Sequence, residues 1–153
     1  LNLINGRVPV LLEIKYSKFI KKNIEIFTKV LAEKLKNYKG PIALMSFSSH
    51  LMKYISKSNL FKNFPLGLTT SFPIRETLAN NNKNNKIESE IISNKLQFIS
   101  QDWKGIKSSR IKRLKKLDIA ILSWTITSKE IEKRLEDLVD NITFESYEPD
   151  LRK

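Results

Sequence analysis

The sequence alternates between short apolar runs and amphipathic stretches, and this alternation restricts the fold more than any other feature. Six runs have the length of strands, and most are apolar almost throughout: residues 8–14, 41–47, 66–70, 96–100, 118–126 and 141–146. Their starts lie 22 to 33 residues apart, which is the length of a strand plus one crossover helix. Apolar strands separated by amphipathic helices predict a parallel α/β sheet with both faces covered.

The stretches between these runs carry apolar residues at helical spacing. The clearest is 18–38, and further helices are predicted at 49–58, 86–95, 108–117 and 128–139. The stripe of the first helix consists of Ile20, Ile24, Phe27, Leu31 and Leu35. Thr127 and Glu130 have the spacing of a capping box, which predicts that the preceding strand ends at about Ile126. The Asn-rich segment 80–86 is predicted to be a surface loop, and residues 1–153 to form a single domain.

Six parallel strands permit either an open doubly wound sheet or most of an eight-stranded barrel. A doubly wound nucleotide-binding domain usually has a glycine-rich turn after its first strand, whereas this strand is followed by "KYSK" and the chain has only four glycines. The barrel is therefore favoured. In such barrels function collects at the carboxyl ends of the strands, where this sequence places Glu13, Lys15, Phe47, Asp102 and Trp124.

Composition excludes several kinds of site. The chain has no cysteine and a single histidine, His50, so it cannot build a thiolate metal site, a disulfide or a pair of catalytic histidines. No apolar run approaches the ~20 residues that cross a bilayer, and the first residues lack the pattern of a signal peptide. We expect no transmembrane segment and a cytoplasmic location.

The formal net charge of +12 raises the alternative of a nucleic-acid-binding protein. Lysine outnumbers arginine by 22 to 6, and the lysines are scattered along the chain. The densest basic run, "RIKRLKK" at 110–116, is predicted to be a solvated helix face, with Ile111 and Leu114 facing inward and the basic side chains outward. Nucleic-acid binding is therefore the less favoured alternative.

An ordered set of motifs resembles the glycerophosphodiester phosphodiesterase family. It comprises "VPVLLEIK" (8–15), "ALMSFSSHLMKYI" (43–55), "FPLGLTT" (64–70), the stretch from "FISQDW" to "SWTI" (98–126) and "EPDLRK" (148–153). Each motif is weak alone, and their order and spacing carry the resemblance. It implies a partial TIM (β/α)8 barrel of about six parallel β/α units, corresponding to strands 3 to 8 of the family barrel.

The resemblance also implies an activity and roles for four residues. Members of the family hydrolyse glycerophosphodiesters to glycerol phosphate and an alcohol, using a divalent cation such as Ca²⁺ or Mg²⁺. Glu13 matches a metal-binding carboxylate, and Lys15 matches a lysine that contacts the phosphate. Phe47 and Trp124 match apolar walls of the glycerol pocket. The residues alone favour an exposed ion pair for Glu13 and Lys15, and the two aromatic residues could be core.

The sequence departs from the family at the catalytic positions. The "HRG" and "HD" turns that carry the acid–base histidines are absent, and His50 does not occupy either position. We therefore expect a phosphoric diester hydrolase fragment that lacks two barrel strands, is inactive alone and self-associates through its open edges. The alternative is a catalytically degenerate barrel that only binds glycerophosphodiesters.

Overall fold

The computed structural model describes residues 1–71, 87–106 and 108–150, so the predicted loop at 80–86 lies outside the described residues. Six strands form one sheet in the order β1-β2-β3-β4-β5-β6, and every neighbouring pair is parallel. The strands are β1 Val10–Glu13, β2 Ile42–Ser46, β3 Leu66–Thr70, β4 Phe98–Asp102, β5 Ala120–Ile126 and β6 Asn141–Phe144. The sheet curls into a half-barrel, which confirms the predicted partial TIM barrel.

Helices connect the strands on the outer face of the sheet. They are α1 Lys18–Lys22, α2 Ile24–Lys36, α3 Ser49–Ser56, α4 (described over 87–93), α5 Ser108–Lys115 and α6 Lys129–Leu135. Short 3₁₀ turns occupy Asn59–Phe61 and Trp103–Gly105.

The helix predicted over 18–38 is broken at Asn23. Asn23 adopts φ −124° and ψ 32°, outside the helical region, and its side-chain amide donates to the carbonyl of Phe19 at 3.0 Å. This competition between an asparagine side chain and the backbone ends α1, and α2 begins at the next residue. The predicted apolar stripe is nevertheless confirmed, because its members pack against the core on both sides of the break.

The last helix begins one residue later than predicted. The N-cap is Ser128, whose hydroxyl accepts from the backbone N–H of Ile131 at 3.4 Å, and the assignment of Thr127 was wrong. Ser128 has the extended backbone that an N-cap requires (φ −158°, ψ 159°). The predicted end of β5 at Ile126 is confirmed.

The main core lies between the sheet and the helices. It contains one set of alternate strand residues, such as Leu44, Leu68, Ile99 and Ile121, which are at most 2% exposed. By the alternation of side chains along a strand, the other set faces the inside of the half-barrel. Met45 and Phe98 belong to this inner set, since both are buried yet lie outside the main core.

The two edge strands leave an apolar cavity between them. The cavity has a volume of about 730 Å³ and is lined by β1, by the residues that begin β2 and precede β3, and by β6. Because both β1 and β6 line it, the cavity marks the place where the curled sheet does not close. It lies toward the amino ends of β1 and β2, away from the predicted site.

Candidate functional site

Glu13 and Lys15 lie at the carboxyl end of β1 and form an ion pair. Lys15 Nζ is 2.5 Å from Glu13 Oε1, and the two side chains are 81% and 25% exposed. The prediction that they share one face of the strand is confirmed. A pair this open to water stabilises the fold by only about 0–1 kcal/mol, so both groups can exchange their partner for a ligand at little cost.

Phe47 and Trp124 lie beside this ion pair. The ammonium of Lys15 is 5.8 Å from the centre of the Phe47 ring, and the Phe47 and Trp124 rings meet edge to face at 5.4 Å. Phe47 directly follows β2 and is 46% exposed, so it is not a core residue. The structure thus brings all four predicted site residues together in one chain of contacts.

Trp124 is held in place from the neighbouring strand. Its indole N–H donates to the backbone carbonyl of Ser100 at 3.1 Å, and its own position in β5 pairs with Asp102 of β4. A half-buried tryptophan with its N–H satisfied is a rigid apolar surface. The Phe47 ring packs against the Trp124 ring, and the ammonium of Lys15 lies over the Phe47 ring.

Two hydroxyl groups on the inner face were missed by the sequence reading. Thr69 and Ser100 are paired across β3 and β4, and they are 4% and 0% exposed. Within the described part of the chain, neither hydroxyl has a hydrogen-bond partner. Buried hydroxyls are usually satisfied, so this pair beneath the aromatic residues is unusual. Because side chains alternate along each strand, the sequence pattern could have placed Thr69 and Ser100 on the face that Phe47 and Trp124 occupy.

A second cavity opens next to Phe47. It has a volume of about 280 Å³ and lies at the carboxyl ends of β2 and β3. Its lining residues are Phe47, Ser49, Leu68, Thr69, Thr70, Ser71, Ile87 and Glu90. Phe47 therefore contacts Lys15 and also lines a pocket that carries several hydroxyl groups.

The carboxyl ends of β3 and β4 are supported by a buried polar network. Gln101 Oε1 accepts from the hydroxyl of Thr70 at 2.9 Å and from Arg110 at 3.0 Å. Arg110 also lies 3.4 Å from Glu88, which binds Arg113 at 2.9 Å. Burial lowers the pKa of Arg110, an effect that Glu88 partly offsets.

Arg110 corrects one prediction about the basic run at 110–116. Ile111 and Leu114 are buried as expected, but Arg110 is only 4% exposed and does not project into solvent. It packs inward because a buried amide oxygen and a carboxylate lie within its reach.

Glu13 has no group of further metal-binding side chains around it in the described part of the chain. Among residues 1–71, 87–106 and 108–150, no group of three or more acidic, histidine or cysteine side chains could hold an ion. A hard divalent cation needs several oxygen ligands, and Glu13 offers one carboxylate that already faces Lys15. The described residues therefore do not fit a complete metal site.

Two other polar residues take no part in the cluster. Asp102 accepts from the backbone N–H of Lys104 at 3.0 Å and so caps a turn. His50 is exposed near the start of α3, with its ring 6.0 Å from that of Tyr16, and it does not replace the absent histidines.

No protein-family model matches the sequence, and no curated protein is similar to it. Solved structures are similar in fold. A candidate glycerophosphoryl diester phosphodiesterase from Silicibacter pomeroyi aligns with a TM-score of 0.68 at 16% identity, over 88% of this chain and 46% of that one. A phosphodiesterase from Oleispira antarctica, solved with the product sn-glycerol-3-phosphate, aligns with a TM-score of 0.68 at 15% identity, over 87% and 49%.

A glycerophosphodiester phosphodiesterase from Thermotoga maritima gives a TM-score of 0.62 at 16% identity, over 88% of this chain and 53% of that one. The chain thus spans about half the length of the structures that it matches. At these identities the likeness establishes the fold alone, which is about half of a TIM barrel. No helix in the described ranges is long and apolar enough to cross a membrane.

Proposed function

We propose that this chain supplies the phosphate- and glycerol-binding half of a glycerophosphodiester phosphodiesterase, a phosphoric diester hydrolase of lipid metabolism. The observation that carries the proposal is the contact chain from Glu13 through Lys15 and Phe47 to Trp124. These are the residues that the family motifs select, and they meet at the end of the sheet where TIM barrels place their active sites.

Each residue has a physical role in this proposal. Lys15 is an exposed ammonium that can leave Glu13 and bind a phosphate oxygen as a point charge. Phe47 and Trp124 provide the apolar walls against which the carbons of glycerol pack. Glu13 would contribute one oxygen ligand to a divalent cation such as Ca²⁺ or Mg²⁺, and the remaining ligands would come from outside the described residues.

The acid–base chemistry must come from elsewhere in the barrel. Phosphodiester cleavage needs groups that move a proton near neutral pH, and the one histidine of this sequence, His50, packs against Tyr16 and matches neither histidine of the family. The apolar cavity between β1 and β6 is where two further β/α units would complete eight strands. We propose that such units carry the catalytic groups and that this half of the barrel is inactive alone.

A glycerophosphodiester-binding barrel without hydrolytic activity is the second candidate. It is favoured by the sequence, in which the family's "HRG" and "HD" motifs with their acid–base histidines are absent. The two candidates share the same binding site and differ only in whether a completed barrel releases the alcohol.

Titration with sn-glycerol 3-phosphate tests the proposal. The fluorescence of Trp124 is followed in a Trp103→Phe background, so that a single tryptophan reports. We expect saturable binding that Lys15→Met weakens about tenfold, the effect of losing roughly 1.4 kcal/mol of charge-assisted bonding. Lys62→Met is the matched control, because it removes the same charge at the amino ends of the strands. Equal weakening by both variants, or no saturable binding, would contradict the proposal.

A further inference from the structure

The 280 Å³ cavity beside Phe47 has the composition of a ligand site. Among the eight described residues that line it, five carry a hydroxyl or a carboxylate. The hydroxyl of Thr70 already has a hydrogen-bond partner, since it donates to Gln101 at 2.9 Å. The hydroxyl of Thr69 is buried and has no hydrogen-bond partner within the described part of the chain.

A buried hydroxyl without a protein partner is available to a polar ligand. Burying such a group without a hydrogen bond costs about 1–3 kcal/mol. A polar ligand that binds in the cavity would remove this cost, whereas an apolar ligand would not. Ser100 lies opposite Thr69 in the β3–β4 pair, and its hydroxyl is also buried without a partner in the described part of the chain. The polar character therefore extends along the inner face.

The charge of the cavity favours a cation. Among the described residues that line the cavity, only Glu90 is charged, in a chain of net charge +12. Glu90 and the ring of Phe47 border the same small space, and a carboxylate facing an aromatic ring is a common environment for an ammonium group. A primary ammonium also has three N–H donors, which hydroxyl groups such as that of Thr69 can accept.

Resting on the proposed function, we propose that this cavity binds the alcohol half of the substrate and selects a head group with a primary ammonium. The phosphate would lie with Lys15 on one side of Phe47 and the amino alcohol would pass to the other side. Glu90 would pair with the ammonium and Thr69 would accept one of its N–H bonds. Both are specificity residues and take no part in proton transfer.

The experiment compares two diesters that differ only in the head group. Binding of glycerophosphoethanolamine and of glycerophosphoglycerol to the full chain is measured by calorimetry. We expect the ethanolamine diester to bind about tenfold tighter. Glu90→Gln should remove this difference, and Glu33→Gln, which removes the same charge from the exposed face of α2, should preserve it.

Thr69→Val tests whether the hydroxyl of Thr69 binds the ligand or stabilises the fold. It removes an unpartnered buried hydroxyl while keeping the shape, so we expect an unchanged or higher melting temperature together with about fivefold weaker binding of the ethanolamine diester. A structural role would instead lower the melting temperature.

The possible results distinguish this inference from the proposed function. Equal affinity for the two diesters, or a preference that survives Glu90→Gln, overturns the inference while binding of sn-glycerol 3-phosphate leaves the proposed function standing. If sn-glycerol 3-phosphate also fails to bind, the proposed function falls and this inference falls with it.

Discussion

Gly67→Ala tests how the inner face of the half-barrel is packed. Gly67 pairs with Phe98 across β3 and β4, and the Phe98 ring lies across the space that a side chain at Gly67 would occupy. A Cβ at this position would overlap the ring atoms Cδ2, Cε2 and Cζ, where carbon atoms ordinarily stay about 3.5–4.0 Å apart. The alanine methyl can be accommodated only if the ring moves.

Both ways of accommodating the methyl group are costly. If the ring stays buried, overpacking costs about 1–3 kcal/mol. If it swings out toward the open interior, the phenylalanine loses its burial, which is worth about 1.5–3 kcal/mol. For a chain of this length 1 kcal/mol corresponds to about 2–4 °C, so we expect the melting temperature to fall by roughly 3–10 °C.

Thermal unfolding followed by circular dichroism measures this change. The double variant Gly67→Ala/Phe98→Leu is the control, because the smaller side chain vacates the space beside the new methyl group and should recover part of the loss. An unchanged melting temperature in the single variant would refute the packing of Phe98 over Gly67.

Three further outcomes are expected. Arg110→Met should destabilise the fold by about 2–3 kcal/mol in a denaturant titration, since it breaks a buried pair. Arg113 is half-exposed, so Arg113→Met should cost under about 1 kcal/mol. Equal losses of stability in the two variants would contradict the buried network. The pKa of Glu25 is lowered by its hydrogen bond and charge pairing with Lys29, so the pair stabilises α2 above the ordinary carboxyl pKa and this contribution is lost as pH falls through the lowered value. Lys29→Met should return the pKa of Glu25 to its ordinary range in an NMR titration, and an unchanged pKa would disprove the pairing. The open edges of β1 and β6 should make the isolated chain self-associate, and a monomeric species with a cooperative melt would count against this.

The sheet was predictable because its signals are local and strong. Apolar runs at the spacing of a β/α unit specify parallel strands, and even the weak run at 66–70 forms a fully buried strand. The four site residues could be placed together because alternation fixes which face each occupies and parallel strands end at the same edge. The contact between Phe47 and Trp124 joins β2 and β5, which are not neighbours in the sheet, so it depends on the curl of the sheet.

The remaining features depend on contacts that sequence spacing does not encode. A helical wheel gives no sign that Arg110 meets Gln101 and Glu88, since these residues lie on different elements. The break at Asn23 and the N-cap at Ser128 depend on which of several polar side chains bonds to the backbone. Thr69 and Ser100 were missed because hydroxyl residues in a strand are ordinary until their lack of a partner is seen.

The most direct test of the account is to map where sn-glycerol 3-phosphate binds. Backbone amide resonances of the chain are followed by two-dimensional NMR as the ligand is added. We predict that the largest shifts occur at the carboxyl ends of the strands, at Lys15, Phe47 and Trp124, and that residues of the apolar cavity between β1 and β6 hardly change. Shifts confined to that cavity, or spread over the scattered lysines, would contradict the assignment of the site.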